Sequence, residues 1–212
     1  VITALESDVH VLCEKPLASD IGTAIEMRDA ARRSNAIAAT SFNYRYLPAV
    51  QLMKQLIEEG ALGDIYRVKG RYNQDWLVDP ETPWNWRCEK DIAGSGTVGD
   101  VGSHTIDLAQ WIVGDIESIV GSLTTHITER SAPDQDGSRA VTTDDEYLAL
   151  VKFENGAAGV FEGSRVATGR KADNSIEIYG SDGAISFSLR RLNELRYKST
   201  NDRAYQQLLV TE

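Results

Sequence analysis

Val9-His10-Val11-Leu12-Cys13-Glu14-Lys15-Pro16 is the stretch on which the fold turns. A short run rich in apolar and β-branched residues, halted by a charged pair and a proline, reads as a buried parallel strand. After Pro16, Ser19-Asp20 offers an N-cap, and Ile21, Ala24, Ile25, Arg28 and Ala31 follow at helical spacing to about Ser34. Ile37 to Thr40 gives a second small apolar strand. Strand, helix and strand make one βαβ unit with a right-handed crossover. Two parallel strands cannot stand alone, so a piece of a wider parallel layer is expected.

From Leu47 the pattern changes. Pro48 opens a helix with Val50, Leu52, Met53, Leu56 and Ile57 on its apolar side, and Gly60 closes it. Ile65 to Asn73 alternates like a half-exposed strand, and a loop rich in tryptophan and proline follows (Trp76, Pro80, Pro83, Trp84, Trp86). A helix is expected from about Gly96 to Val113, ended by Gly114. Strands follow at Ile116 to Thr128, Glu146 to Phe153, Ala157 to Arg165, Ser175 to Tyr179 and Ala184 to Leu189, with weaker ones at Glu194 to Lys198 and Gln207 to Thr211. Asn155-Gly156 and Ser181-Asp182-Gly183 are hairpin turns, which makes these later strands antiparallel neighbours. Glu129 to Thr143, rich in Ser, Asp and Gly, reads as a mobile loop. The expected class is α/β plus α+β: the end of a parallel layer in residues 1–42, then an α+β domain in residues 43–212 with a mostly antiparallel open sheet.

Composition narrows the partners. The 212 residues carry 22 Lys+Arg against 32 Asp+Glu, a net charge of −10 that disfavours nucleic acid and anionic membranes. No run approaches the roughly 20 apolar residues of a bilayer crossing. Cys13 and Cys88 lie far apart without CxxC spacing, so neither a disulfide framework nor a zinc knuckle is signalled, and a reducing cytoplasm is the default. A small polar substrate stays open.

Two clusters carry candidate chemistry. Glu14-Lys15-Pro16 stands where the first strand ends, and ligands of open α/β sheets bind outside such carboxyl ends. Asn43 and Arg45 follow the second strand at the same edge. The alternative is a surface ion pair followed by a helix-stopping proline. In the second cluster, Asp100 and His104 are spaced i,i+4, with Asp107 and Trp111 continuing that face, so a carboxylate can orient an imidazole as a general base. The alternative is an ordinary helix-surface pair. Gly99 and Gly102 cost helix stability, which implies a close approach to that helix. Gly94-Ser95-Gly96-Thr97-Val98-Gly99 matches G-x-G-x-x-G, but the charged residues 86–93 cannot be the buried strand that a dinucleotide fingerprint needs. These glycines read instead as a flexible approach that leaves backbone open to a ligand. His10 and His126 read as structural, and Cys13 as a small buried hydrophobe. No His or Cys stands at ligand spacing from Asp100 and His104, so no metal is expected. Trp76, Trp84 and Trp86 with Arg87 are either core satellites or the wall of a sugar pocket.

The chain resembles the Gfo/Idh/MocA family of NAD(P)-dependent oxidoreductases. The resemblance rests on residues 9–18, on Phe42-Asn43-Tyr44-Arg45-Tyr46-Leu47-Pro48, on Gly94-Ser95-Gly96 leading into Asp100-Val101-Gly102-Ser103-His104 with Ile106-Asp107, and on Phe153-Glu154-Asn155-Gly156-Ala157 and Tyr179-Gly180-Ser181-Asp182-Gly183. It implies a Rossmann domain holding NAD or NADP and an α+β domain whose open sheet mediates assembly as a homodimer or homotetramer. It also implies hydride transfer between the nicotinamide and a secondary hydroxyl of a sugar or cyclitol. By resemblance Glu14, Lys15, Pro16 and Asn43 would bind cofactor, and Lys15, Asp100 and His104 would be catalytic with His104 as base. Arg45, Trp86, Arg87, Asp100 and His104 would contact substrate. Nothing before residue 8 matches the family's Gly-rich phosphate loop, so a fragment of a longer protein that binds cofactor weakly by itself is expected. Two other readings stay open: a non-catalytic dimerising or sensing relative, and a metal-dependent lyase or isomerase.

Overall fold

The computed structural model describes residues 1–133 and 136–211. Its first region is thin. A short helix α1 (Ile2–Glu6) leads to β1 (Val11–Cys13), α2 (Ile21–Arg33) and β2 (Ala38–Thr40). β1 and β2 pair in parallel with Val11 opposite Ala38. Asp20 caps α2 by accepting the Thr23 backbone N–H at 2.8 Å, as the sequence predicts. The expectation of burial fails here. Leu12 is 72% exposed, and Val9, Ile21, Ile25 and Ile37 are exposed as well, while Leu5, Met27 and Ala30 are buried. α1 packs on α2 and so selects Met27 and Ala30 as the inward face. Among the described residues no further strand or helix lies over β1.

The second region holds the main core. One sheet of eight strands runs in the order β12-β11-β10-β9-β3-β8-β7-β4. Its members are β3 (Ile65–Asn73), β4 (Ile116–Thr124), β7 (Glu146–Phe153), β8 (Ala158–Ser164), β9 (Asp173–Gly180), β10 (Gly183–Ser188), β11 (Glu194–Ser199) and β12 (Gln206–Leu209). The central β3 runs parallel to β8, and every other pairing in the sheet is antiparallel. β7 shows why the sheet has two unlike faces. Tyr147, Ala149, Val151 and Phe153 point inward and are buried, whereas the alternate Leu148 and Leu150 are exposed. The inward face is covered by α3 (Pro48–Glu58) and α5 (Ser103–Val113), with Val50, Met53, Val68, Leu108, Phe161, Ile176 and Ile178 in one cluster. The mixed architecture of a small parallel sheet and a mostly antiparallel open one is the expected class.

Three local expectations need correction. Glu129 to Thr143 is not simply a loop: β5 (Glu129–Ser131) and β6 (Ser138–Ala140) form an antiparallel hairpin, although Asp134 and Gln135 lie outside the described residues. Arg130 explains it. Its buried guanidinium donates to the carbonyl oxygens of Asp79 at 2.9 Å, Thr82 at 3.2 Å and Leu77 at 2.5 Å. β4 stops at Thr124 rather than Thr128, because the Asp145 carboxylate accepts the backbone N–H groups of His126 and Ile127 and draws the chain off the sheet. The helix expected from Gly96 is also not uniform. A one-turn helix α4 (Lys90–Ala93) precedes the glycines, a π-helical turn spans Val98–Gly102, and α-helical geometry begins only at Ser103.

Candidate active site

β1 and β2 end side by side, and the turn after β1 carries Glu14, Lys15 and Pro16, with a cis Lys15–Pro16 bond. Lys15 is the group that reaches across. Its Nζ donates to the Asp100 carbonyl oxygen at 2.6 Å and lies 3.5 Å from the Asp100 carboxylate. One ammonium thereby joins the first region to the π-helical turn, the kind of helix irregularity that recurs at functional sites. Glu14, Pro16 and Asn43 are exposed at the same strand ends.

His104 stands one turn after Asp100. It is 8% exposed and sits against Tyr44, Tyr72 and Phe42, with ring centroids 4.6, 5.9 and 6.1 Å away. The sequence predicts a carboxylate that orients this ring, but among the described residues His104 donates no hydrogen bond to Asp100. Nδ1 of His104 is buried without a partner, and aromatic packing holds the ring instead. Burial, and then the nearby Lys15 charge, lower the imidazole pKa to about 4 against a smaller opposing pull from Asp100. At neutral pH the ring is uncharged and ready to accept a proton. Beside it the Tyr44 and Tyr72 hydroxyls are 2.9 Å apart, and burial together with that bond pushes the Tyr44 hydroxyl up.

Lys15, Asp100 and His104 share a cavity of about 340 Å³ with Tyr72, Gln74, Trp76, Arg87 and Val101. Its size suits a monosaccharide-sized molecule. A larger hollow of about 780 Å³ lies over the open sheet between Arg71, Arg190, Arg196 and Glu177, but no imidazole lines it. Ammonium, carboxylate and neutral imidazole converge on the smaller cavity. Among the described residues no group of three or more His, Cys, Asp or Glu is placed to hold a metal ion.

Other expected contacts stand elsewhere. Arg45 clamps Asp107, with Nε donating to Oδ2 at 2.8 Å and Nη2 to Oδ1, and packs over Trp111 at 5.5 Å; it does not line the cavity. Trp86 is half exposed and stacks on Arg87 at 4.3 Å, so of this pair only Arg87 is a wall residue. Trp84 is tied to the hairpin through its indole N–H to the Ala140 carbonyl at 3.0 Å. The glycines are explained by the protein itself. A Cβ on Gly96 would lie 2.0 Å from the Asp144 carbonyl oxygen, one on Gly99 2.1 Å from Ser95 Oγ, and one on Gly102 2.8 Å from the Tyr147 ring. Gly94, at φ +77°, packs on the Ser19 backbone. The sequence reading missed Tyr72 and Gln74; their signal is their place at the carboxyl end of β3, the strand that points at the π-helical turn.

Comparison with known proteins shows the family and the fold. Residues 50–186 match the model of the GFO/IDH/MocA C-terminal domain, and residues 1–42 match that of an oxidoreductase family with an NAD-binding Rossmann fold. A levoglucosan dehydrogenase of Pseudarthrobacter phenanthrenivorans is 40% identical over 217 aligned positions, covering 96% of this chain and 55% of that protein. A myo-inositol 2-dehydrogenase of Thermotoga maritima is 27% identical over 87% of this chain and 51% of its own length. A solved levoglucosan dehydrogenase in complex with NADH and levoglucosan superposes with a TM-score of 0.94 at 40% identity, over 99% of this chain and 56% of the other. The chain spans about half the length of the curated relatives it matches.

Proposed function

Since the chain belongs to the Gfo/Idh/MocA family of oxidoreductases, we propose that it is the site-bearing part of an NAD-dependent dehydrogenase that oxidises a secondary hydroxyl of a sugar or cyclitol. The observation that carries this reading is the meeting of Lys15, Asp100 and His104 in one cavity. Residues 1–42 would complete the nucleotide-binding layer, and residues 43–212 would bind substrate and assemble copies through the open sheet face, where Leu148 and Leu150 are exposed. No helix among the described residues is long and apolar enough to cross a membrane. A cytoplasmic location accords with Cys13 and Cys88, both unpaired.

The cofactor fits what this chain holds at one end. The exposed strand ends that carry Glu14, Pro16 and Asn43 adjoin Lys15, so they would hold the nicotinamide and its ribose. NAD, when bound, supplies the hydride acceptor. Lys15, fixed by the Asp100 carbonyl and carboxylate, would present its ammonium to the substrate oxygen and stabilise negative charge that grows there. His104 would take the hydroxyl proton at Nε2, the nitrogen opposite the buried Nδ1. A pKa of about 4 keeps the base free at every physiological pH, at the cost of intrinsic basicity. Trp76 and Arg87 would wall the sugar, the ring through its apolar C–H face and the guanidinium through its hydroxyls.

The test is NADH formation by the full gene product with a panel of pyranoses, anhydrosugars including levoglucosan, and cyclitols. Turnover of at least one member is expected. A panel without turnover, from a protein that binds NAD and sugar, would favour a non-catalytic relative.

A further inference from the structure

Arg165 lies behind the cavity and takes no part in the chemistry described above. It is fully buried at the end of β8, and its guanidinium bonds to the Thr143–Asp144 segment, which in turn holds two of the segments that line the cavity. Nη2 donates to the Asp144 carbonyl oxygen at 2.8 Å and to Thr143 Oγ1 at 3.2 Å. Thr143 Oγ1 in turn donates to the Arg87 carbonyl oxygen at 2.9 Å. The Asp144 carboxylate accepts the backbone N–H groups of Gly96 at 2.8 Å and Val98 at 3.1 Å, which fixes the start of the π-helical turn bearing Asp100. The guanidinium also lies 5.8 Å from the Trp76 ring centroid, and the Arg165 carbonyl accepts the Leu77 N–H at 3.1 Å. The Asp145 carboxylate is 3.9 Å away, and Nε and Nη1 have no hydrogen-bond partner among the described residues.

Burial makes this cation costly to keep, and the nearby carboxylates of Asp100, Asp145 and Asp144 offset only part of that cost. A long apolar side chain would fill the same space without that cost. What the guanidinium adds is a tie to three separate cavity walls: to Trp76 over its ring, to Arg87 through Thr143, and to the turn of Asp100 through Asp144. We infer that Arg165 is a positioning residue that sets the spacing of the sugar-facing walls against Lys15 and His104, and so controls sugar binding and turnover without touching the sugar. The proposal rests on the dehydrogenase reading for its kinetic consequence but not for its geometry. Misplacement of a reacting group by about 1 Å costs on the order of 10²-fold in rate.

The experiment compares Arg165→Met, Arg165→Lys and the milder Thr143→Val in the full gene product. Two readouts are taken: steady-state constants for sugar and for NAD, and the near-ultraviolet circular dichroism of Trp76, obtained as wild type minus Trp76→Leu. Arg165→Met is expected to lower kcat/KM for sugar about 100-fold with KM for NAD within about twofold, and to erase the Trp76 dichroism. Arg165→Lys, which keeps the charge and loses the fork, recovers only part of both. Thr143→Val raises sugar KM a few fold with kcat little changed, which keeps the proposal exposed to test where Arg165→Met fails to fold. The proposal is overturned where folded Arg165→Met retains the Trp76 signal, or where its sugar constants and those of Thr143→Val stay within about twofold of wild type. An inactive wild type counts against the dehydrogenase reading alone, because the dichroism still decides the role of Arg165.

Discussion

The two regions of the molecule solve the burial problem in opposite ways. Residues 43–211 wrap two helices over one face of an eight-stranded sheet and bury Met53, Val68, Phe153, Phe161, Ile176 and Ile178 almost completely. Residues 1–42 bury Leu5, Met27 and Ala30 and leave Val9, Leu12, Ile21, Ile25 and Ile37 facing solvent. The larger region accordingly holds most of the buried apolar surface, and the smaller one little. The site nevertheless needs both, because Lys15 comes from the smaller region and Asp100 and His104 from the larger. The two meet at the Lys15–Asp100 contact, at the packing of Gly94 on Ser19 and at the edge of Phe42 against His104, among other places.

Point substitutions probe this contrast in decreasing order of effect. Phe161→Ala, deep in the sheet core, is expected to cost about 3–5 kcal/mol in denaturant unfolding. Met27→Ala, in the thinner layer, should cost about 2 kcal/mol and loosen that layer first, seen as earlier hydrogen exchange in residues 1–42. Equal costs in one shared transition would show that the two regions unfold as a unit and break the contrast. Acidification gives a signed effect. The folded pKa of His104 lies near 4, below the ordinary imidazole value of 6.5, so between those values the unfolded chain binds a proton that the folded chain does not. Stability should therefore fall as pH drops from about 6.5 towards 4, and His104→Phe should flatten that slope. Leu12→Ser should change the stability of the 212-residue chain by no more than about 0.5 kcal/mol, since Leu12 is exposed. On the proposed reading the same change costs more in the full gene product, where a wider layer covers it.

Alternation and turn chemistry made the sheet legible. Ile65–Asn73 and Glu146–Phe153 are strands with the expected bounds, and Asn155-Gly156 joins antiparallel neighbours. Periodicity reports where apolar residues lie but not what covers them, which is why the Val9–Cys13 strand is paired as expected yet not buried. The motifs at Lys15 and at Asp100 and His104 were legible because each is local. The aromatic nest of His104 was not, since Phe42 and Tyr44 come from one segment and Tyr72 from a strand 28 residues beyond Tyr44. Arg45 shows the same limit. A basic residue at a strand end looks like a ligand contact until Asp107, 62 residues later, is seen to occupy it. Close approach at Gly99 and Gly102 was correctly implied, but Ser95 and Tyr147 make it rather than a ligand.

The central claim is that Lys15 and His104, delivered by different regions, act on one substrate hydroxyl. Its most direct test is kcat for sugar oxidation by the full gene product carrying Lys15→Ala or His104→Ala, each with NAD and sugar saturating. Losses on the order of 10²–10⁴-fold are predicted for each, because charge stabilisation and proton transfer both occur in the step measured. In the free enzyme, the acid limb of kcat/KM assigned to His104 should lie near pH 4 rather than 6.5. Wild-type turnover surviving in both variants would contradict the claim.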